Sequence, residues 1–106
     1  MLCRFASLLV VAASLAAGSV AAQPADPAAG RAIAERWCTG CHVIDEGQRR
    51  GTDAGPSFFE IAANPSSSDP ARLAEFLARP HRVMPGFEFG RRDILDLIAF
   101  LATRRR

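Results

Sequence analysis

The clearest pattern of apolar positions lies in the last segment of the chain. These positions repeat at the i, i+3, i+4 and i+7 spacing of one helix face, at Ile94, Leu97, Ile98 and Leu101. Phe100 widens the stripe. Asp93 stands near the positive end of the expected helix dipole, and Arg104, Arg105 and Arg106 stand near its negative end. We therefore predict an amphipathic C-terminal helix with a buried apolar face.

Another helix is predicted near the start of the polar part of the chain. Asp26-Pro27 is a typical start signal, because an aspartate caps the helix and proline fits its first turn. This helix runs into Cys38. Gly30 weakens it by about 1 kcal/mol relative to alanine, yet Gly30 and Ala34 form a stripe of small residues one helical turn apart. We expect the C-terminal helix to pack closely against this stripe.

Proline and glycine divide the region between these two helices. The pattern predicts a short helix at 57–63, a polar spacer at 66–68 and a further helix at 71–79. Residues 80–86 should then be extended, because Pro85 disfavours helical backbone angles at Met84. Every element predicted in this way is a helix, so the expected fold class is all-α.

The first 22 residues have the layout of a secretory signal peptide. Arg4 supplies the charged start, residues 5–17 are almost wholly apolar, and small residues continue to Ala22. The apolar stretch is too short to be assigned as a membrane span. We expect cleavage after Ala22, with an uncleaved anchor as the alternative. Cys3 then leaves with the signal, and residues 23–106 form one small domain.

The motif CTGCH, at residues 38–42, carries the most specific chemistry. Two cysteines separated by two residues and followed by histidine are typical of a c-type haem attachment site. Cys38 and Cys41 can each form a thioether with one vinyl group of a single haem, and His42 can place an imidazole nitrogen on the iron. The alternatives are a thiol–disulfide pair and half of a zinc site. A zinc site needs more ligands than the chain holds, and a thiol pair makes no use of the histidine.

A second protein ligand to the iron has two candidates. Apart from Met1 and His42, the chain holds one methionine, Met84, and one histidine, His81. We favour Met84, whose sulfur raises the reduction potential of the iron relative to a second histidine. A His81 ligand is one alternative, and Met84 as core filler beside an open sixth position is another. Pro56 either offers a carbonyl acceptor to the second nitrogen of His42 or is a plain turn proline.

The net charge is small and its basic part is arginine alone. All 13 basic residues are arginine, against 11 acidic residues, for a formal net charge of +2. Nucleic acid binding requires a strongly basic face, so this balance argues against it. The terminal arginines form either a solvated run at the end of the helix or a docking site. Those that flank Met84 form either a solvated face or a modest patch for docking or for haem propionates. The flanking arginines are Arg79, Arg82, Arg91 and Arg92.

Taken in order, these features resemble the small monohaem class I cytochromes c over essentially all of residues 23–106. The resemblance rests on Gly30 eight residues before Cys38, CTGCH, Gly55-Pro56, Met84-Pro85 and a closing helix with Phe100. It implies a cytochrome c fold, with three to four helices around one covalently bound haem c and its iron, and with the first and last helices crossing at Gly30 and Phe100. It also implies iron ligation by His42 and Met84 and a brace from Pro56. The lysine-rich docking face of the mitochondrial members does not carry over, because this chain has no lysine.

The function predicted from the sequence is one-electron transfer in the periplasm, without enzymatic activity. With two protein ligands on the iron, no position remains open for a substrate. The expected partners are redox proteins that donate and accept electrons, with no nucleic acid and at most a peripheral contact with the membrane. The protein is expected to be a monomer or a subunit of a redox complex. The alternatives are an electron-accepting cytochrome subunit of a dehydrogenase or oxidase complex, and an open-site haem enzyme or gas sensor.

Overall fold

The computed structural model describes residues 18, 23–49, 54–79, 84 and 87–106. Their helices, in chain order, are α1 (Pro27–Trp37), α2 (Phe58–Ala63), α3 (Pro65–Ser68), α4 (Pro70–Leu77) and α5 (Arg91–Ala102). The described residues form no strand, which confirms the predicted all-α class. Within these same ranges, no helix is long and apolar enough to cross a membrane. The predicted signal peptide, apart from Gly18, lies outside the described residues.

Side-chain caps set the helix starts that the sequence predicted. The Asp26 carboxylate accepts a hydrogen bond from the Ala28 N–H at 2.9 Å, with Pro27 in the first turn of α1. The same device starts α4, with Asp69 as the cap. Residues 66–68, expected as a polar spacer, instead belong to the short helix α3. The side chain of Asn64 caps this helix, and the structure therefore has one helical turn more than the sequence indicated.

The first and last helices cross in close contact at Gly30. A Cβ atom built on Gly30 would lie 1.9 Å from the backbone carbonyl oxygen of Asp96 in α5, so the two backbones meet with no room for a side chain. Ala34, one turn further along α1, is fully buried, and Phe100 is 2% exposed in the same apolar core. The predicted packing of α5 on the small-residue stripe is thus confirmed.

A buried carboxylate in α5 fixes the start of α1. Asp96 is 5% exposed, and its Oδ1 accepts a hydrogen bond from the backbone N–H of Asp26 at 2.8 Å. Arg92 lies 3.2 Å from the same carboxylate and also donates to the carbonyl oxygens of Gln23 and Pro24, at 2.8 and 2.5 Å. The buried charge is therefore paired, as burial requires. These bonds tie residues 23–26 to the last helix.

The apolar core extends from the α1–α5 contact to the turn that carries CTGCH. Helices α2 and α4 also pack on α5. The core residues are Ala34, Cys38, Ile44, Phe58, Ala62, Leu73, Leu97, Phe100 and Leu101. Because the first motif cysteine is itself a core residue, the packing of the helices fixes the position of the motif.

Candidate functional site

The attachment motif continues the end of α1 as a tight turn. Cys38 caps the helix, and its N–H donates to the Ala34 carbonyl at 2.9 Å. The N–H groups of Cys41 and His42 both donate to the Cys38 carbonyl, at 3.2 and 2.9 Å. Both cysteines are free thiols, Cys38 buried and Cys41 exposed. Burial raises the pKa of the Cys38 thiol to about 11, which keeps it protonated at neutral pH.

The side chain of His42 is held by the segment that begins at Gly55. Its Nδ1 lies 2.6 Å from the carbonyl oxygen of Pro56. A carbonyl oxygen only accepts, so Nδ1–H donates. In the neutral ring the lone pair then lies on Nε2, the form in which imidazole binds a metal. Gly55 lies against the same ring, because a Cβ built on it would be 2.5 Å from Cε1. The Phe58 ring packs on the imidazole at a centroid distance of 5.8 Å.

Two backbone hydrogen bonds bring Pro56 to His42 across fourteen positions of sequence. The Gly55 N–H donates to the Cys41 carbonyl at 2.8 Å, and the Phe58 N–H donates to the Val43 carbonyl at 2.9 Å. The segment at 55–58 is therefore laid alongside the motif turn. The sequence left open whether Pro56 was a brace or a plain turn proline. The structure places its carbonyl on the imidazole.

The turn after the motif is closed by a side chain that the sequence analysis missed. The Gln48 amide oxygen accepts from the Ile44 N–H at 2.8 Å, and its nitrogen donates to the His42 carbonyl at 2.9 Å. Ile44 itself is 2% exposed. Gln48 thus fixes the backbone on both sides of Val43. No periodicity or cap signal in the sequence marks this role.

Asp45 anchors the same turn to both ends of the domain. Its carboxylate pairs with Arg31 of α1 and, at 3.2 Å, with Arg104 after α5. The Arg31 side chain holds the pKa of Asp45 below its usual range. Both guanidinium groups also lie over the ring of Phe100, with Arg104 at 4.9 Å from its centroid. Arg104, expected as part of either a solvated or a docking tail, is therefore folded back onto the domain.

The other arginines considered in the sequence analysis have varied surroundings. Arg106 pairs with Glu46. Arg79, two residues after the end of α4, pairs with Glu75 of that helix at 3.4 Å. Arg92 is bound to Asp96 and to the carbonyl oxygens of Gln23 and Pro24. Arg82 lies outside the described residues. Arg79, Arg92 and Arg106, like Arg104, are thus engaged in contacts within the chain.

A cavity of about 670 Å³ lies beside the motif. Cys38, Cys41, His42, Pro56 and Met84 all contribute to its wall, so the structure brings the five predicted site residues to one place. The remaining lining residues that the structure describes are Trp37, Ala54, Gly55, Ile61, Ser66, Ser67, Arg72, Leu73, Phe76 and Phe87. His81, the alternative iron ligand, lies outside the described residues.

The large apolar side chains on the cavity wall are unusually open. Trp37 is 46% exposed and Phe76 is 49% exposed. Trp37 packs on Phe87 at 5.5 Å between ring centroids, and the guanidinium of Arg36 lies 4.9 Å from the Trp37 ring. The sequence indicated only hydrophobic packing for Trp37, and the structure places it on the cavity wall.

These features fit the haem expected from the motif. The volume lies within the range of small-molecule sites, roughly 300–1,000 Å³. The wall is mainly apolar, as a flat macrocycle needs, and it presents two free thiols beside an imidazole whose Nε2 keeps its lone pair. Met84 adds a thioether to the same wall. The donor set is therefore the one that covalent haem attachment and iron ligation require.

Comparison with known proteins agrees with this arrangement. A family model described as cytochrome C oxidase, cbb3-type, subunit III matches residues 25–101, which include most of α5 and every residue on the cavity wall. The chain is 37% identical to cytochrome c-552 of Bradyrhizobium diazoefficiens over 92 residues, which cover 87% of this chain and 88% of that protein.

Proposed function

The chain belongs to the small monohaem class I cytochromes c, and we propose that within this family it is a periplasmic one-electron carrier with His42 and Met84 as its axial ligands. The family binds one haem c covalently and transfers electrons through it. One observation carries the ligand assignment. The imidazole of His42, with its Nε2 lone pair available, and the thioether of Met84 line the same mainly apolar cavity as both motif cysteines.

Each site residue has a separate task in this proposal. Cys38 and Cys41 supply the sulfur atoms of the two thioether bonds. Pro56 holds the proton on Nδ1 of His42, which orients the ring and keeps Nε2 unprotonated for the iron. Met84 supplies a neutral sulfur, which favours the reduced state more than a second histidine would. When bound, haem c supplies a one-electron Fe(II)/Fe(III) couple.

The periplasmic location is supported by the layout of residues 1–22. A charged start, an apolar middle and small residues before position 23 are typical of a cleaved secretory signal. Cleavage after Ala22 releases residues 23–106 as the haem domain. Export also places the chain where c-type attachment requires both thiols to be handled in the reduced state.

Replacing Met84 by alanine tests the proposed function. The exported wild-type protein should show a covalent, low-spin haem, and its reduced form should not bind carbon monoxide rapidly. Met84→Ala should keep the covalent haem and lose the methionine-ligated spectrum, because one axial position is left open. The measurement is the visible spectrum of both proteins, with and without carbon monoxide.

The matched control is His81→Ala, which removes the rival ligand and should leave the spectrum unchanged. The ligand assignment is wrong if His81→Ala, rather than Met84→Ala, opens the iron. The carrier function itself is contradicted if the wild-type protein has no covalent low-spin haem, or if its reduced form binds carbon monoxide at once.

Replacing Gly55 by alanine should displace the proximal ligand. The new Cβ would lie 2.5 Å from Cε1 and 2.9 Å from Nδ1 of His42, so the ring must move and its bond to Pro56 must lengthen or break. Loss of such a supporting bond typically weakens metal binding roughly 10- to 100-fold. We expect a mixture of low-spin and high-spin haem, measured by visible spectroscopy.

The control is Gly47→Ala, where no atom lies within 4 Å of the new Cβ and which should retain the wild-type spectrum. A wholly low-spin Gly55→Ala protein would contradict the contact.

A second candidate function is a cytochrome subunit of an oxidase complex. It is supported by the description of the matching family model as a subunit of a cbb3-type oxidase. A free carrier should elute alone when the native protein is solubilised and fractionated, whereas a subunit should copurify with its partners at fixed stoichiometry.

A further inference from the structure

The mainly apolar cavity has one polar stretch on its wall. Ser66 and Ser67 of α3 and Arg72 of α4 line it, whereas the attachment turn follows α1 and the Pro56 brace precedes α2. Arg72 is the single residue with a permanent charge among the described residues of this wall. A cavity that holds a purely apolar ligand has no need of such a group.

The Arg72 side chain also has no carboxylate partner within the parts of the chain that the structure describes. Its backbone N–H donates to Asp69 at 3.0 Å as part of the α4 cap, but its guanidinium makes no ion pair there. Five other arginines do pair with carboxylates of the chain, at 31, 79, 92, 104 and 106. Because Arg72 also lines the cavity, its guanidinium is available to an anion that enters there.

Haem c brings such an anion. Its vinyl groups are consumed by the two thioethers, and it retains two propionate carboxylates. A carboxylate that enters a mainly apolar cavity needs a partner, since its burial without one is strongly unfavourable. A guanidinium binds a carboxylate through two parallel charge-assisted hydrogen bonds, and serine hydroxyls add further donors.

We propose that Arg72, with Ser66 and Ser67, binds a haem propionate and thereby sets which edge of the haem faces α3 and α4. This inference rests on the proposed function, because it requires the covalent haem. It selects Arg72 rather than Arg79 or Arg92, which pair with Glu75 and Asp96.

The ion pair has a consequence for electron transfer. The positive charge of Arg72 favours Fe(II) over Fe(III), and it also holds the pKa of the propionate low, so that this group stays ionised through the neutral range. Without Arg72 the propionate titrates at higher pH. A protonated propionate no longer places a negative charge near the iron, which makes reduction easier. In the variant, the reduction potential should therefore rise as the pH falls through the neutral range.

The test is the reduction potential of the holoprotein as a function of pH for Arg72→Gln, with Arg79→Gln as the control. Both changes remove one exposed arginine, Arg72 in α4 and Arg79 two residues after its end, but of the two only Arg72 lines the cavity. At neutral pH, Arg72→Gln should lower the ratio of reduced to oxidised protein roughly three- to tenfold at a fixed potential, where tenfold corresponds to about 59 mV for one electron. Its potential should also become pH-dependent. Arg79→Gln should show little of either effect.

Two further variants separate a propionate site from a general charge effect. Arg72→Lys keeps the charge and loses the paired hydrogen-bond geometry. Its reduction potential at neutral pH should therefore lie close to that of the wild type, while its potential should still depend on pH, less strongly than that of Arg72→Gln. The double variant Ser66→Ala and Ser67→Ala changes no charge. Its reduction potential should also become pH-dependent, but less so than that of Arg72→Gln.

The inference is overturned if Arg72→Gln and Arg79→Gln shift the reduction potential equally, or if the pH dependence of the potential of Arg72→Gln matches that of the wild type. A wild-type protein without low-spin haem would instead contradict the proposed function, which the spectrum reports separately.

Discussion

Gly30→Ala is expected to destabilise the holoprotein by about 2 kcal/mol or more, although alanine is the better helix former. The helix propensity of alanine should add about 1 kcal/mol of stability to an exposed helix. At this position the new methyl would lie 1.9 Å from the Asp96 carbonyl oxygen and 2.9 Å from the Leu97 backbone nitrogen. Overpacking typically costs roughly 1–3 kcal/mol where side chains can yield, and more where only backbone can move. The clash therefore outweighs the gain in propensity.

The helix contact cannot open cheaply to admit the methyl group. Asp96, whose carbonyl meets Gly30, also accepts a hydrogen bond from the Asp26 backbone through its buried side chain. Separation of the helices would stretch this bond and also the hydrogen bonds from Arg92 to the carbonyl oxygens of Gln23 and Pro24. The free-energy loss should lower the melting temperature by roughly 10 °C in a domain of this size.

Thermal unfolding followed by circular dichroism measures this effect on the haem-loaded protein. Gly47→Ala is the matched control, since a Cβ at that position meets no atom within 4 Å and should leave the melting temperature within a degree or two. A Gly30→Ala protein that melts at or above the wild-type temperature would show that α1 and α5 do not cross as closely as described.

Removal of the covalent haem should abolish cooperative folding. We expect Cys38→Ala combined with Cys41→Ala, prepared without haem, to be largely unfolded or molten. The haem fills a mainly apolar cavity of about 670 Å³, so a haem-free chain would have to expose this wall to water. Small domains have total stabilities of about 5–15 kcal/mol. We therefore expect that the haem-free chain cannot maintain its native helix packing around an empty cavity.

Far- and near-ultraviolet circular dichroism during heating tests this expectation. A molten chain retains far-ultraviolet helix signal and loses the near-ultraviolet signal of packed aromatic residues. Met84→Ala is the control, because it removes a proposed ligand but leaves both thioethers and should still melt cooperatively. A cooperative, native-like melt of the double cysteine variant would show that the helices hold the fold without the cofactor.

Several parts of this protein could be predicted from short stretches of sequence. The Asp26-Pro27 and Asp69-Pro70 starts, the apolar stripe of α5 and the CTGCH motif each depend on residues within a few positions of one another. Helix caps, helix periodicity and haem attachment are local in the same sense. The crossing at Gly30 was also predicted, since a glycine inside a helix that also carries Ala34 indicates a close partner.

Other parts depend on contacts between residues far apart in the chain. Pro56 reaches His42 only because backbone bonds lay residues 55–58 along the motif turn, and nothing in the Gly-Pro pair itself separates a brace from an ordinary turn. The role of Asp96 was missed because a charged residue on a helix is usually exposed, and its partner Asp26 is 70 positions away.

The sequence by itself determined the chemistry of this protein and the positions of its principal helices, because capping, periodicity and the attachment motif all act over a turn or two of chain. The tertiary structure alone decided which groups meet around the cavity. Arg104 turns back to Asp45, while Arg72 is left unpaired at the cavity wall within the described part of the chain. These outcomes depend on how α1 and α5 cross and where the turns then lie, and charge pairing between distant residues has no signal in local sequence.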